Sequence, residues 1–235
     1  MKKLFVFAIA IVMLALASCS GGGKKSDSTT DSTKIKDSIA KAATAKGMYK
    51  LKSGIVTMES ETMGMKQTIV MYFDDYGNKK SNETKGEIDM GALGKTEIDN
   101  LTFSKDGYSY NIDLVKKTGT KRKKADFGKK KDIDFSKLSD DMMKQMKITK
   151  QGTEEVLGKT CDKYAMDDPA MRMKSTYCVW NGIPLKSVMD MGGIKATVTA
   201  TKVEENVSVP ADKFDVPSGI TITEMSDSKG MNAKK

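Results

Sequence analysis

The sequence has 235 residues, and its composition excludes several classes of protein. It contains no histidine, which removes Ser-His and Cys-His nucleophile pairs and the commonest transition-metal ligand. It contains no phosphate-binding glycine loop, no Gly-x-Ser-x-Gly motif and no EF-hand loop. There are 40 Lys and Arg residues against 31 Asp and Glu residues, a net charge of +9. We therefore expect a protein that is not an enzyme and that has no catalytic residues, metal site or cofactor.

The chain begins with the features of an exported protein. Lys2 and Lys3 precede an apolar stretch at 4–17, which is shorter than the roughly 20 residues that span a bilayer. The stretch ends in Leu16-Ala17-Ser18-Cys19, which resembles the lipobox of bacterial lipoproteins. An ordinary signal peptide with a chance cysteine is the alternative. We expect residues 1–18 to be removed and Cys19 to carry acyl chains, which anchor the chain stably in a membrane.

Residues 19–33 are predicted to be a flexible tether, because they include no large apolar residue that could support a fold. Ser20 after the cysteine favours the outer membrane, and we favour its periplasmic face. Residues 34–223 have the length of one domain, and residues 224–235 are polar and predicted to be disordered. We expect a monomer.

The domain is predicted to be mainly β, in the α+β class. A helix is expected over 33–46, ending at Gly47. A second, short helix, capped by Asp134 or Ser136, follows much later. Period-two alternation predicts strands at 48–60, 65–74, 79–89, 96–104, 108–114, 147–156, 160–166, 174–180, 184–191 and 194–203. So many antiparallel strands cannot stay flat, and we expect a strongly curved sheet.

Two cysteines remain after Cys19, namely Cys161 and Cys178. An exported protein with one remaining pair favours a disulfide between them. A redox-active pair is the alternative, but such pairs more often have the spacing Cys-x-x-Cys.

The positive charge is concentrated in one stretch, residues 116–131, which holds nine basic residues and one acidic residue. We expect this stretch to be a loop. It is either a solvated loop or a patch for anionic partners such as lipid phosphates. The patch residues are Lys121, Arg122, Lys123, Lys124, Lys129, Lys130 and Lys131. A nucleic-acid partner is not expected, because the stretch lacks interleaved aromatic residues and the predicted compartment holds none.

Methionine is unusually frequent, with 18 residues in the chain. Met63 and Met65, Met171 and Met173, and Met189 and Met191 are i, i+2 pairs, so each pair shares one face of a strand. Three explanations compete. Methionine fills irregular cores, it lines adaptable apolar grooves, and its thioether binds Cu(I).

Three segments carry a resemblance to a known superfamily. They are Thr153–Cys161, Val179–Lys186 with its Gly-Ile-Pro-Leu-Lys, and Lys213–Ile220 with its Phe-Asp-Val-Pro-Ser-Gly. Their order resembles the LolA/LolB-like superfamily of outer-membrane lipoprotein-sorting proteins, nearest to an uncharacterised lipoprotein branch. The resemblance implies an unclosed half-barrel with helices over its concave face, in which the best-known members hold acyl chains.

These patterns together predict a non-enzymatic envelope lipoprotein that binds a hydrophobic or amphiphilic ligand in a half-barrel concavity. The predicted lining residues come from strand alternation and from one face of the second helix. They are Met58, Ile69, Met71, Phe73, Phe103, Met142 and Met146. A protein-interaction module with a filled core and a methionine-based Cu(I) binder are the alternatives.

Overall fold

The computed structural model describes residues 47–89, 91, 94–123, 133–138, 140–169 and 172–225. The predicted signal peptide, tether, Cys19 and N-terminal helix lie outside these residues. The described part is mostly β, with twelve strands in one sheet. They are β1 Gly54–Thr62, β2 Met65–Asp74, β3 Lys79–Asp89, β4 Lys95–Lys105, β5 Tyr108–Asp113, β6 Thr118–Lys123, β7 Ile148–Val156, β8 Lys159–Asp168, β9 Met173–Trp180, β10 Ile183–Met191, β11 Ile194–Glu205 and β12 Thr221–Glu224.

Helical structure is sparse in the described residues. The only α-helix described, α1, spans Asp140–Gln145, and 3₁₀ turns occupy Asp75–Gly77 and Ala211–Phe214. The predicted second helix begins later than expected. Asp134 caps a turn instead, because its carboxylate accepts a hydrogen bond from the Ser136 N–H at 3.0 Å. No helix in the described ranges has the length and apolar character needed to cross a membrane.

The strand order is β12-β6-β5-β4-β3-β2-β1-β11-β10-β9-β8-β7, and the sheet is unclosed because β12 and β7 do not pair. Every neighbouring pair is antiparallel except β12 with β6, which is parallel. The prediction of a loop over 116–131 is therefore wrong at Thr118–Lys123, which forms β6. Pairing with β5 on one side and with the distant β12 on the other holds this basic segment extended.

The sheet buries opposite faces in two regions. In β1 and β2 the buried apolar side chains are Val56, Met58, Ile69, Met71 and Phe73, which the register places on one face. In β4 and β5 they are Leu101, Phe103 and Ile112.

The register across β3 shows that the second set lies on the other face. Phe103 pairs with Ser81, and Ser81 pairs with Tyr72 rather than with its neighbour Phe73. Because side chains alternate along a strand, Phe73 and Phe103 point to opposite sides of the sheet.

A C-terminal segment, residues 206–220, connects β11 to β12 and covers the second region. It starts beside β1, where the Asn206 N–H donates to the carbonyl of Ser53 at 2.8 Å. Val216 and Ile220 of this segment, together with Ile222 of β12, then pack against Leu101, Phe103 and Ile112. The segment therefore supplies the apolar cover that this half of the sheet lacks by itself.

Candidate ligand-binding face

The first buried face has a filled centre. Phe73 is fully buried, and its ring lies 4.9 Å from that of Tyr49 in an edge-on arrangement. Phe73 also occupies the space beside Gly54, where an added Cβ would lie 2.6 Å from the end of the Phe73 ring. Met48, Met58 and Met71 join the same cluster at 5–8% exposure. Methionine here fills a core, as one of the three sequence-based explanations predicted.

A row of polar residues crosses the same face next to this centre. Cross-strand pairing aligns Gln67, Ser60, Val198, Ser187 and Tyr177 on β2, β1, β11, β10 and β9. We call these five residues, which are polar except for Val198, the polar row. Gln67, Ser60 and Tyr177 are 3–8% exposed. Polar side chains therefore line a buried surface that continues directly from the apolar centre.

Three buried polar atoms on this face have no hydrogen-bond partner among the described residues. They are Oε1 of Gln67, the hydroxyl oxygen of Tyr177 and Oγ of Ser175, which lies two residues from Tyr177 on β9. A buried polar atom without a partner costs about 1–3 kcal/mol. Such atoms are rare in folded proteins and call for a water molecule or a ligand group as partner.

A short segment covers one end of the polar row. We call residues 133–138 and 140–146 the cover segment. Its Ile133, Phe135, Leu138, Met143 and Met146 join a cluster with Tyr164 and Tyr177. The Phe135 ring lies 5.1 Å from that of Tyr164 and 5.5 Å from that of Tyr177. Burial, and then the nearby charge of Asp162, raise the pKa of the Tyr164 hydroxyl, so this tyrosine stays protonated.

The predicted lining residues do not form one surface. Met58, Ile69, Met71 and Phe73 share the first face, but they are packed at 0–8% exposure and line no open space. Phe103 lies on the opposite face, so grouping it with them was wrong. Met146 packs in the cover segment, whereas Met142 is 42% exposed. The sequence pattern gave the alternation within each strand but not the register between strands.

The polar row was missed by sequence reasoning. Its signal is present in part, because Gln67 and Ser60 occupy inward positions of strands whose other inward side chains are apolar except for Thr62. Without the register, each looks like an isolated polar substitution. Only the pairing of five strands brings them into one line.

Cys161 and Cys178 are both buried and are free thiols in this structure, so the predicted disulfide is not formed here. They lie on the neighbouring strands β8 and β9, but Cys178 pairs with Lys163 rather than with Cys161. The Cys178 thiol instead lies 3.2 Å from a carboxylate oxygen of Glu154. Burial and then this carboxylate raise the pKa of Cys178 to about 11. A disulfide under oxidising conditions stays a prediction.

Two lysines, on the face of the sheet that carries Cys178, hold Glu154 in place. Lys186 Nζ donates to one of its oxygens at 2.6 Å, and Lys163 lies 3.4 Å from the other. The hydrogen bond from Lys186 is the main reason that the pKa of Glu154 falls to about 2. The Glu154 carboxyl group is thus ionised at physiological pH.

The predicted basic patch is described only in part. Lys124, Lys129, Lys130 and Lys131 lie outside the described residues. Lys121, Arg122 and Lys123 alternate along β6, so Arg122 points away from the other two. Lys121 forms an ion pair with Glu224 at 3.0 Å and lies over the Tyr108 ring. The described part of the patch is therefore divided between two faces.

In the described ranges, no group of three or more His, Cys, Asp or Glu side chains is placed to hold a metal ion. The hypothesis of Cu(I) binding through methionine pairs stays a prediction.

Comparison with known proteins gives information about fold alone. No family model and no curated protein matches the sequence. An uncharacterized conserved protein from Thermus thermophilus has a similar structure, with a TM-score of 0.51 and 10% identity over 80% of this chain and 99% of that one. MucB gives a TM-score of 0.45 with 14% identity over 81% of this chain and 65% of its own. A putative outer membrane lipoprotein-sorting protein domain from Vibrio parahaemolyticus gives 0.38 with 10% identity, over 77% and 95%.

Proposed function

We propose that this chain is a non-enzymatic envelope lipoprotein, anchored by acyl chains on Cys19, that binds a lipid-like or other amphiphilic molecule. The anchor holds it at the outer membrane, on the periplasmic side. The ligand lies on the first buried face, between the polar row and the cover segment. Its apolar part contacts Met143, Met146 and Phe135, and its polar group lies at Tyr177 and Ser175.

The observation that carries this proposal is the set of partnerless polar atoms. Gln67, Ser175 and Tyr177 each bury an oxygen without a hydrogen bond to the described residues. A ligand that brings hydroxyl, ester or amide groups removes a penalty of about 1–3 kcal/mol at each atom. Water would remove it equally well, but only the ligand also uses the adjoining apolar surface. An amphiphile combines both properties.

The cover segment gives the ligand a route of entry. The α-helix within it has only six residues, and none of them is buried. So short a helix is marginal without tertiary packing. Its attachment rests on five side chains, those of Ile133, Phe135, Leu138, Met143 and Met146. When the cover segment moves away, these contacts break and the end of the polar row is exposed, while all strands stay paired.

Native mass spectrometry of the protein, purified from the membranes of the cells that make it, tests this proposal. We expect a co-purifying mass in the lipid range that dissociates on mild activation. The mass of the protein itself tests two further predictions: acyl groups on Cys19 add mass, and a disulfide between Cys161 and Cys178 removes two hydrogens. A protein that carries its anchor but no ligand would contradict the binding proposal.

Tyr177→Phe gives a matched variant, because it keeps the ring against Phe135 and removes only the hydroxyl. One lost hydrogen bond of about 1–1.5 kcal/mol corresponds to roughly a tenfold loss of affinity. Tyr110→Phe is the control, because Tyr110 belongs to the cluster on the opposite face. Equal ligand loss in both variants would show that the effect is not local.

A second candidate function is an envelope interaction module with a filled core. The packed centre around Phe73 favours it, because no hollow exists there. Under this alternative the ligand mass is absent, and cross-linking in intact cells captures a protein partner instead.

A further inference from the structure

Two adjacent rows of side chains on the first buried face carry no charge. One is the polar row. The other lies one step closer to the turns at 63–64 and 192–193, and cross-strand pairing aligns its members on β2, β1, β11, β10 and β9. We call it the second row, and it consists of Met65, Thr62, Ala196, Met189 and Ser175. No member of either row is charged, although charged residues make up 30% of the chain.

The other side of the same five strands is rich in charge. Each member of the second row has a charged neighbour in sequence, and side chains that are adjacent in a strand point to opposite faces. These neighbours are Lys66, Glu61, Lys195, Asp190 and Lys174. The five strands therefore contain both signs of charge, and all of it lies on the other side at this level of the sheet.

Burial accounts for only part of this difference. Charged residues are seldom fully buried, which explains their absence where Thr62 and Ser175 lie, at 8% and 3% exposure. Met189 is only half-buried, however, and one step beyond it Met191 and Ile194 are 47% and 49% exposed. The surface stays uncharged even where water could solvate a charge. Its lack of charge is thus a property of the whole face between β2 and β9.

Charged residues on this face lie at its sides. On β7 and β8, Lys150 and Asp162 form an ion pair at 2.8 Å, and Asp168 is the last residue of β8. In the cover segment, Asp134 and Lys137 pair at 3.2 Å, and the charged residues of α1 are exposed. An anionic or cationic group placed on the two rows would therefore meet no opposite charge within them.

The partnerless atoms add a requirement for hydrogen bonding. Oε1 of Gln67 can only accept a hydrogen bond, whereas the hydroxyl groups of Ser175 and Tyr177 can donate and accept. A hydroxyl group on a ligand can satisfy all three atoms. An ionised phosphate or carboxylate cannot donate to Gln67, and its charge would be buried without compensation, which is costly.

We propose that the ligand of this face carries an uncharged, hydroxyl-bearing polar group, as an acylglycerol does, and that lipids with a phosphate or carboxylate head group are rejected. This inference rests on the proposed function and names the class of its ligand. The flexible thioether side chains of Met143, Met146, Met189 and Met191 flank the polar atoms on both sides and can adapt to acyl chains.

Two lipids with identical acyl chains test the inference. Dioleoylglycerol and dioleoylphosphatidate differ only in the phosphate, so any preference between them arises at the polar group. The mature protein, isolated in detergent from its own membranes, is incubated with both lipids at equal concentration. Native mass spectrometry then separates the two adducts by mass.

We expect the dioleoylglycerol adduct to exceed the phosphatidate adduct about tenfold or more, because the phosphate would be buried without an opposite charge. A phosphatidate adduct of similar or greater abundance overturns this inference alone and leaves the proposed function standing. The absence of both adducts overturns the inference and the proposed function together.

A lysine introduced on the face should reverse the preference. Met189→Lys places an ammonium group opposite Ser175, with which Met189 pairs, and we expect the phosphatidate adduct to become at least as abundant as the other. Val188→Lys is the matched control, because Val188 is also half-buried but points to the other side of the sheet. Met191→Lys repeats the change where the native side chain is 47% exposed and a charge does not threaten folding. If both methionine variants keep the preference of the parent protein, the inference is wrong.

Discussion

The two regions of the sheet bury their apolar residues on opposite faces, and they obtain their cover from different distances along the chain. In β1 and β2, the cover comes from Met48 and Tyr49, which immediately precede β1. In β4 and β5, it comes from Val216, Ile220 and Ile222, more than 100 residues later. Both regions also depend on distant parts of the chain, because the first cluster includes Cys178, Ile183 and Leu185, but only the second is covered by the C-terminal segment.

The difference also affects what each face can do. The first face joins an apolar centre to the polar row, and three buried polar atoms there lack partners among the described residues, against two on the second face, in Ser81 and Asp99. The second face is covered by the C-terminal segment, which an ion pair also holds in place. There, Lys213 reaches from the segment to the buried carboxylate of Glu83 at 3.1 Å. The proposed ligand site and this ion pair thus lie on opposite faces of the same sheet.

Replacing the central aromatic ring of each region with alanine is expected to lower the free energy of unfolding most. Phe73→Ala is predicted to lower the free energy of unfolding by about 4 kcal/mol, because a fully buried ring leaves a cavity against Tyr49 and Gly54. Phe103→Ala is predicted to cost about 3 kcal/mol, because the C-terminal segment can settle into the space left beside Tyr110. Urea unfolding of both variants measures the difference. A larger loss for Phe103→Ala would reverse the roles assigned to the two regions.

A pair of turn glycines tests how tightly the first region is covered. Gly182 and Gly107 both have positive φ, at 84° and 78°. At Gly182 an added Cβ would lie 2.2 Å from the carbonyl oxygen of Met48, whereas at Gly107 it meets nothing within 4 Å. The left-handed conformation costs about 1–2 kcal/mol at either site, and the clash adds roughly 1–3 kcal/mol at Gly182 alone.

Gly182→Ala is therefore expected to destabilise the fold by about 3 kcal/mol and Gly107→Ala by about 1 kcal/mol. Thermal unfolding of the two variants, each compared with the parent protein, provides the measurement. Equal losses would mean that the chain at Met48 moves aside easily and that the cover of the first region is loose.

Most strands could be predicted from the sequence. The predictions for β2 and β3 match the structure at both ends, because alternation is regular there and the turn Asp75–Gly77 separates them clearly. The sequence pattern did not predict β6, because a stretch rich in lysine is typical of a solvated loop. Its extended form depends on β12, which lies about 100 residues away and cannot be inferred from local pattern.

The candidate site was harder to predict than the strands. A shift of one residue in register moves every side chain of a strand to the other face, and the sequence does not fix the register across a turn. Phe103 was assigned to the wrong face for that reason. The polar row, by contrast, depends on five strands pairing correctly, so no single strand reveals it.

The ion pairs of Glu83 in the second region are expected to contribute less to stability than either buried ring. Glu83 lies beside Leu101 on the buried side, 2.9 Å from Lys85 and 3.1 Å from Lys213. Burial raises the pKa of its carboxyl group, but the hydrogen bonds from the two lysines outweigh burial, and the pKa falls below its ordinary value of 4.5. Glu83→Gln is expected to cost about 2 kcal/mol at neutral pH, because two charge-assisted hydrogen bonds are weakened.

The pH dependence of this loss identifies its origin. Since the pKa of Glu83 is lower in the folded chain, its contribution to stability is complete above about pH 4.5 and disappears as the pH falls further. The gap between the parent and Glu83→Gln in urea unfolding should therefore narrow in acid. Glu87→Gln on the same strand is the control, because Glu87 and Lys95 are 53% and 62% exposed and such ion pairs contribute about 0–1 kcal/mol. A gap that stays constant with pH would mean that Glu83 acts through packing, and that the C-terminal segment is held by its apolar residues alone.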